Sequence, residues 1–306
     1  MLFRPSAAAS IALLLLCAGC APTQETASPE PAGTGSVAPP AAGSEPPPGP
    51  GVATPVVGRV LAAPVPVPAT DGRTHLAYEL VLTNTLPQDV TVTSIDVTSG
   101  DRTLLSLPGD RLAHWTRIAG NPEPTTTLGP AQTAYVWIDV AVDSDQTVPA
   151  ELRHLVAVSV PDPSPPLIPA ALTENIAPVT VQTRTPVTIA PPLAGPNWLD
   201  ANGCCGTTSH RTALNPIDGD VWAAERFAID YLQLGPDGRL FTGDPAELDS
   251  YPYFGTDVLA VGDGPVVAVV DDLPEQVPGT APTGLPLQEY GGNHVVQDLG
   301  NGNYAF

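Results

Sequence analysis

The chain has no lysine. All eleven of its basic residues are Arg, set against 32 Asp and Glu, and the formal net charge is −21. That balance excludes the broad phosphate-neutralising face on which nucleic-acid binding depends. It also excludes adhesion to anionic lipid through the protein surface. The acidity reads instead as solubility in an exposed compartment, and the missing lysine as genome composition. Aromatic residues are scarce, at 5%. No apolar run reaches the roughly 20 residues that a membrane-spanning helix needs. Cysteine is scarce too. Cys17, Cys20, Cys204 and Cys205 are all there is, which excludes a disulfide framework.

What is present begins with an export signal. One charge, Arg4, precedes the apolar run Ile11 to Leu16 and then Cys17-Ala18-Gly19-Cys20. The run is too short to span a bilayer and fits a cleaved signal. Ala18-Gly19-Cys20 matches a lipobox, with Cys17 standing where Leu is usual. Residues 1–20 are therefore read as a lipoprotein signal, with Cys20 as the lipidated residue and membrane anchor. An ordinary secretory signal cut near Ala21 is the alternative. Cys17 leaves with the signal in the lipoprotein reading and Cys20 is spent on lipid, so the adjacent pair Cys204-Cys205 remains.

Residues 21–55 hold ten prolines and three Glu, with no Leu, Ile or aromatic residue. Such a stretch cannot bury a core, and its prolines keep it extended and semi-rigid. It is read as a tether. About 250 residues follow, enough for two ordinary domains.

From Val56 the pattern is that of strands. Tyr78, Leu80 and Leu82 alternate with Glu79, Val81 and Thr83. Val90 and Val92 alternate with Thr91 and Thr93. Val136, Ile138, Val140 and Val142 form a third row, and Val156, Val158 and Val160 a fourth. Leu86-Pro87-Gln88-Asp89, Pro108-Gly109-Asp110 and Leu128-Gly129-Pro130 supply turns. Short strands at this spacing predict a β-sandwich over residues 56–190. The stretch from Tyr78 to Val97 resembles the strand-and-turn pattern of Ig-like and fibronectin-like sandwiches. Residues 161–197 are again Pro-rich, read as a last short strand near Val179-Thr180-Val181 and a linker into a second module. His75, His114 and His154 fall in the sandwich and read as structural, with no acidic or cysteine partner expected for them.

From Trp198 glycine and aspartate become denser. Val258 to Val270, broken by Gly262-Asp263-Gly264, reads as a hairpin, and Val295-Val296 as a strand after a Gly-rich turn. Three segments occur in order: Arg226-Phe227-Ala228-Ile229-Asp230, Val258 to Val267, and Gly291-Gly292-Asn293-His294-Val295-Val296 followed by Gly300-Asn301-Gly302-Asn303-Tyr304. Together they resemble the front half of the M23 peptidase domain, the LytM or lysostaphin-like endopeptidases of bacterial cell walls. The resemblance covers roughly residues 198–306. It implies an all-β chain, with the sandwich followed by a partial LytM-like domain over residues 191–306.

The resemblance also implies a single Zn²⁺ held by two His and one Asp, with cell-wall peptide as the partner. Zinc suits such work because it activates water near neutral pH and polarises a peptide carbonyl. Asp230 matches the carboxylate ligand. Its alternative is a carboxylate paired with Arg226 or capping a turn. The family's first His lies four residues before that Asp, where this chain has Arg226. Arginine has no lone pair to offer a metal. His210, twenty residues upstream of Asp230, is the candidate substitute. His294 falls where the family accepts almost any residue. Cys204-Cys205 reads as a vicinal disulfide stiffening the loop before His210, with thiolate ligands as the alternative. The family's later His and His-x-His pair have no counterpart up to Phe306, so the chain reads as a fragment with no catalytic residue of its own. A non-catalytic member that binds wall or activates a partner hydrolase is the second reading.

Overall fold

The computed structural model describes residues 51–306. Cys20 and nearly all of the Pro-rich tether lie outside the described residues. The first ten strands, in chain order, are β1 (Val56–Val60), β2 (Val67–Pro68), β3 (Thr74–Asn84), β4 (Val90–Ser99), β5 (Arg102–Pro108), β6 (Thr116–Ile118), β7 (Thr127–Leu128), β8 (Thr133–Val142), β9 (Glu151–Ser159) and β10 (Ala171–Thr180). A short helix, α1 (Gly109–His114), joins β5 to β6. The strands form two sheets. One runs β1-β3-β8-β6, with β2 also on β3; the other runs β10-β9-β4-β5, with β7 also on β4.

The alternation legible in the sequence builds the space between the sheets. Leu76, Tyr78, Leu80 and Leu82 of β3 and Val136, Ile138 and Val140 of β8 are fully buried. They join Val90, Ile95 and Val97 of β4 and Leu152 and Val156 of β9 in one core. Each such side chain contributes about 1.5–3 kcal/mol of hydrophobic stabilisation. The β3–β8 ladder runs without interruption from Thr74↔Val142 to Thr83↔Thr133. A buried polar pair, Tyr78 and His154, crosses the core. The His154 Nδ1–H donates to the Ala177 carbonyl at 2.9 Å, so Nε2 accepts from the Tyr78 hydroxyl at 2.8 Å. Burial pulls the His154 pKa down despite the carbonyls of Ala177 and Ile176. Asn84 closes β3. Its amide donates to the carbonyls of Gln88, Leu128 and Gly129 and its oxygen accepts from Leu86 N–H, which fixes the turn into β4.

Three features differ from the pattern read along the chain. The strand expected near Val179 is the end of β10, which starts at Ala171 and carries a bulge between Ile176 and Val179. His75 has acidic partners after all. Its ring is 2.9 Å from Asp139 Oδ2, which the β3–β8 pairing brings alongside from 64 positions away, and 3.1 Å from Asp71 Oδ2, four residues earlier in the chain. Most telling is the outer face of β3. Glu79 and Val81, which alternate with the core-facing Tyr78, Leu80 and Leu82, are themselves only 0% and 6% exposed.

The cover comes from the remainder of the chain. It contains β11 (Trp198–Ala201), helix α2 (Ser209–Thr212), β12 (Asn215–Ile217), β13 (Asp220–Trp222), β14 (Asp230–Gln233), β15 (Val266–Val270), β16 (His294–Gly300) and β17 (Asn303–Ala305). β11 pairs with β14, β12 with β13, and β15-β16-β17 make a small sheet. Leu214 and Val221, from the β12–β13 region, pack on Val81, Tyr135 and Trp137 of the sandwich's outer face. Among the described residues no helix is long and apolar enough to cross a membrane.

The hairpin expected over Val258–Val270 does not form. Only β15 is a strand, and it pairs with β16. The preceding residues bond instead to the linker, Leu259 N–H to the Pro192 carbonyl and Ala190 N–H to the Val261 carbonyl. The reason lies at the turn. The buried Gln297 amide of β16 donates to the Gly262 and Gly264 carbonyls at 2.7 and 3.2 Å. Gly264, at φ +154°, presses its Cα against the Asp298 carbonyl, where a Cβ has no room. The Gly262-Asp263-Gly264 segment thus docks on β16 instead of reversing into a partner strand.

Candidate functional site

β11 and β14 set the frame. Their antiparallel register places Ala201 opposite Asp230, so Asn202, the next residue, reaches the Asp230 carboxylate. Asn202 Nδ2 donates to Asp230 Oδ2 at 2.6 Å. The chain then passes the Cys204–Cys205 disulfide, the vicinal bridge expected for this pair. It enters α2, capped by Thr208, whose hydroxyl accepts from Arg211 N–H at 3.2 Å.

Two consecutive residues of α2 point to different places. His210 turns to the β14 side. Its Nδ1 lies 3.2 Å from the Ala228 carbonyl and its Nε2 3.3 Å from Asp230 Oδ1. A carbonyl only accepts, so Nδ1 carries a proton. Nε2 then faces the carboxylate either as an imidazolium donor or as a bare lone pair sharing a cation with Oδ1. The two residues singled out from the sequence as metal ligands, His210 and Asp230, are thus brought together. The His210 side chain is 16% exposed and Asp230 44%, so the pair opens to solvent on the carboxylate side. His294 is not part of it; it begins β16, its ring 4.5 Å from that of Phe306. Among the described residues no group of three or more His, Cys, Asp or Glu side chains is arranged to hold a metal ion.

Arg211 turns the other way, into the sandwich, and is 1% exposed. Its guanidinium donates to Glu79 Oε1 at 2.5 Å and to the carbonyls of Tyr78 and Ile138 at 3.1 and 3.0 Å. Burial lowers its pKa, opposed chiefly by the Glu79 charge. Arg226 completes the arrangement from the loop before β14. Its Nε donates to Glu79 Oε1 at 3.0 Å and its terminal nitrogen to Glu79 Oε2. The alternative in which Arg226 pairs with Asp230 is therefore overturned: Arg226 is spent on Glu79. A carboxylate buried at 0% exposure needs such compensation, and two guanidinium forks supply it.

Glu79 and Arg211 did not stand out along the sequence as site residues. One signal was there. Glu79 is the only charge between Leu76 and Leu82, and its ladder neighbour across the sheet is Trp137, flanked by Tyr135. Two aromatic residues and a lone acid on the supposed solvent face of a sandwich mark a covered face.

No protein-family model matches this chain, and no curated protein matches it.

Proposed function

We propose that this protein is an exported lipoprotein, anchored through Cys20, whose residues 191–306 form part of an M23-like zinc metallopeptidase module acting on cell-wall peptide bonds. The observation that carries the reading is the orientation of His210 toward Asp230. A metal-ligating imidazole donates its second nitrogen to a carbonyl or carboxylate, which fixes the ring and aims the lone pair. His210 does this through Ala228 and aims Nε2 at the carboxylate side. Asn202 occupies the other carboxylate oxygen and leaves Oδ1 turned toward His210. One imidazole nitrogen and one carboxylate oxygen suit zinc. When bound, zinc supplies a Lewis acid for the peptide carbonyl and an acidified water.

In this reading the disulfide loop holds Asn202 and α2 in place, and the sandwich, classed as Ig-like, is a platform rather than a free spacer. Arg211 and Arg226 tie it to the module beneath the site. The reading requires a further His and a His-x-His pair downstream of Phe306 to complete the ligand set and the proton transfer. It places the molecule on the periplasmic or outer side of a membrane, with peptidoglycan as its partner.

A second reading rests on Arg226. The residue at the resemblance's first His position is committed to Glu79, which favours a non-catalytic LytM-like lipoprotein that binds wall or activates a hydrolase. Zinc analysis of the full-length protein separates the two. The peptidase reading expects one zinc per chain, lost in both His210→Ala and Asp230→Ala. A folded, zinc-free protein that still sediments with peptidoglycan would sink it and leave the second reading standing.

A further inference from the structure

A cavity of about 630 Å³ lies where the sandwich's outer face meets the β12–β13 region, apart from the His210–Asp230 pair. Its size falls within the range of small-molecule sites. Ile118, Tyr135, Trp137, Leu214 and Val221 form much of its wall. It therefore offers an apolar, partly aromatic interior. No lining residue is acidic, in a chain of net charge −21.

The ionised residue on the wall is Arg117. One of its terminal nitrogens donates to the carbonyls of Ala113, His114 and Thr116 at 3.2, 3.0 and 2.8 Å, which anchors the side chain at the end of α1. Its other N–H groups make no hydrogen bond, and it has no acidic partner, among the described residues. This sets it apart from Arg211 and Arg226, both spent on Glu79. Trp137, 4% exposed, likewise keeps an indole N–H with no acceptor among the described residues. Buried donors are normally paired. An apolar wall, an anchored and unpaired cation and no carboxylate among the lining residues select one chemistry.

We propose that this cavity binds a small organic anion, an aryl or short acyl body carrying one carboxylate, with the apolar body against Tyr135, Trp137, Leu214 and Val221 and the carboxylate at Arg117. The site is independent of the proposed metal chemistry and stands or falls separately from it.

The test uses the full chain and two probes that differ in charge, 2-naphthoate and its uncharged amide, 2-naphthamide, titrated by calorimetry at low and high salt. The expected result is binding of naphthoate at one site per chain, roughly tenfold tighter than naphthamide at low salt, with the gap closing as salt rises. Arg117→Gln removes the gap and leaves naphthamide unchanged. Leu214→Trp, which fills the cavity, abolishes binding of both. Equal affinity for the two probes, salt-independent discrimination, or undiminished binding in Leu214→Trp would each overturn the proposal. So would failure of naphthoate to bind below millimolar concentration. The salt comparison needs no variant, so a misfolded mutant does not decide the matter.

Discussion

The sandwich and the C-terminal module are both built of β-strands but hold together by different means. Between Val56 and Val181 the molecule is a layered apolar core, with 23 buried hydrophobic residues joined in one cluster. Between Trp198 and Phe306 the only buried residues are Arg211 and Gln297, one charged and one polar. There Val267, Val269 and Val295 stay about half exposed although they lie in strands, as does Val266. The first region is stabilised by what it excludes from water. The second is held by backbone pairing, by two arginines that donate to its neighbour, and by Leu214 and Val221 packed on that neighbour's outer face. A module without its own core takes its position from the surface it grips, the outer face of β3 and β8, where Glu79 takes both arginines and Val81, Tyr135 and Trp137 take Leu214 and Val221.

The largest expected effect tests that grip. Glu79→Ala leaves Arg211 buried without its counter-charge, and removing one partner of a buried ion pair costs about 3–5 kcal/mol. Urea denaturation should show that loss. Limited proteolysis should show cleavage between residues 203 and 226 before the sandwich is cut. If the variant melts like the parent with no new cleavage, the clamp does not hold the module. Leu80→Ala, in the core, should cost about 2–5 kcal/mol by the same denaturation measurement.

Acid–base behaviour sharpens the comparison from the sandwich side. Glu174 is 3% exposed. One oxygen accepts from the Val56 N–H at 3.1 Å, and the other has no partner among the described residues. Burial pushes its carboxyl up to about 7, against that hydrogen bond. A raised carboxyl means that the folded state binds the proton more tightly than the unfolded chain. Glu174 is therefore harmless below pH 4.5, and it destabilises progressively as pH rises from there to about 7. Glu174→Gln should raise stability at pH 8 by about 2–3 kcal/mol and leave it unchanged at pH 4, read from melting temperatures at the two pH values. A gain of equal size at both would mean that packing, not ionisation, is responsible.

His154 and His75 have opposite signs. Burial depresses His154, so its contribution is intact above the ordinary histidine value and is lost as pH falls below it. For His75, burial would lower the pKa, but hydrogen bonds to Asp139 and Asp71 outweigh it and the net shift is upward. Its contribution is present in acid and is lost as pH rises through the raised value. In His154→Gln the acid limb of the stability profile should flatten. In His75→Gln the change should appear on the neutral side; movement of the same limb in both variants would contradict the assignment.

The smallest effect is expected on the exposed sheet. Val269→Thr, 53% exposed on β15, should change stability by no more than about 0.5 kcal/mol, against several for Leu80→Ala. A cost above about 2 kcal/mol would mean that a partner covers this sheet in solution.

The sequence by itself determined the sandwich strands, because a strand with one face in a core writes that face as a period of two. Tyr78, Leu80 and Leu82, with Val136, Ile138 and Val140, could be read directly. It also brought forward Asp230, through the resemblance of its segment to a peptidase motif, His210 as the candidate beside it, and Cys204-Cys205, whose adjacency is local. What periodicity cannot record is who sits on the second face. Glu79 and Val81 obey the alternation, yet they are buried by residues more than 130 positions away. The hairpin over Val258–Val270 failed for a related reason: two apolar runs around a glycine turn specify strand propensity but not partners, and Gln297 and the linker supplied others. Tertiary structure alone decided that Arg226 serves Glu79 rather than Asp230. A guanidinium goes to the carboxylate whose burial makes it costliest to leave unpaired, and burial is a property of the fold, not of the neighbouring letters.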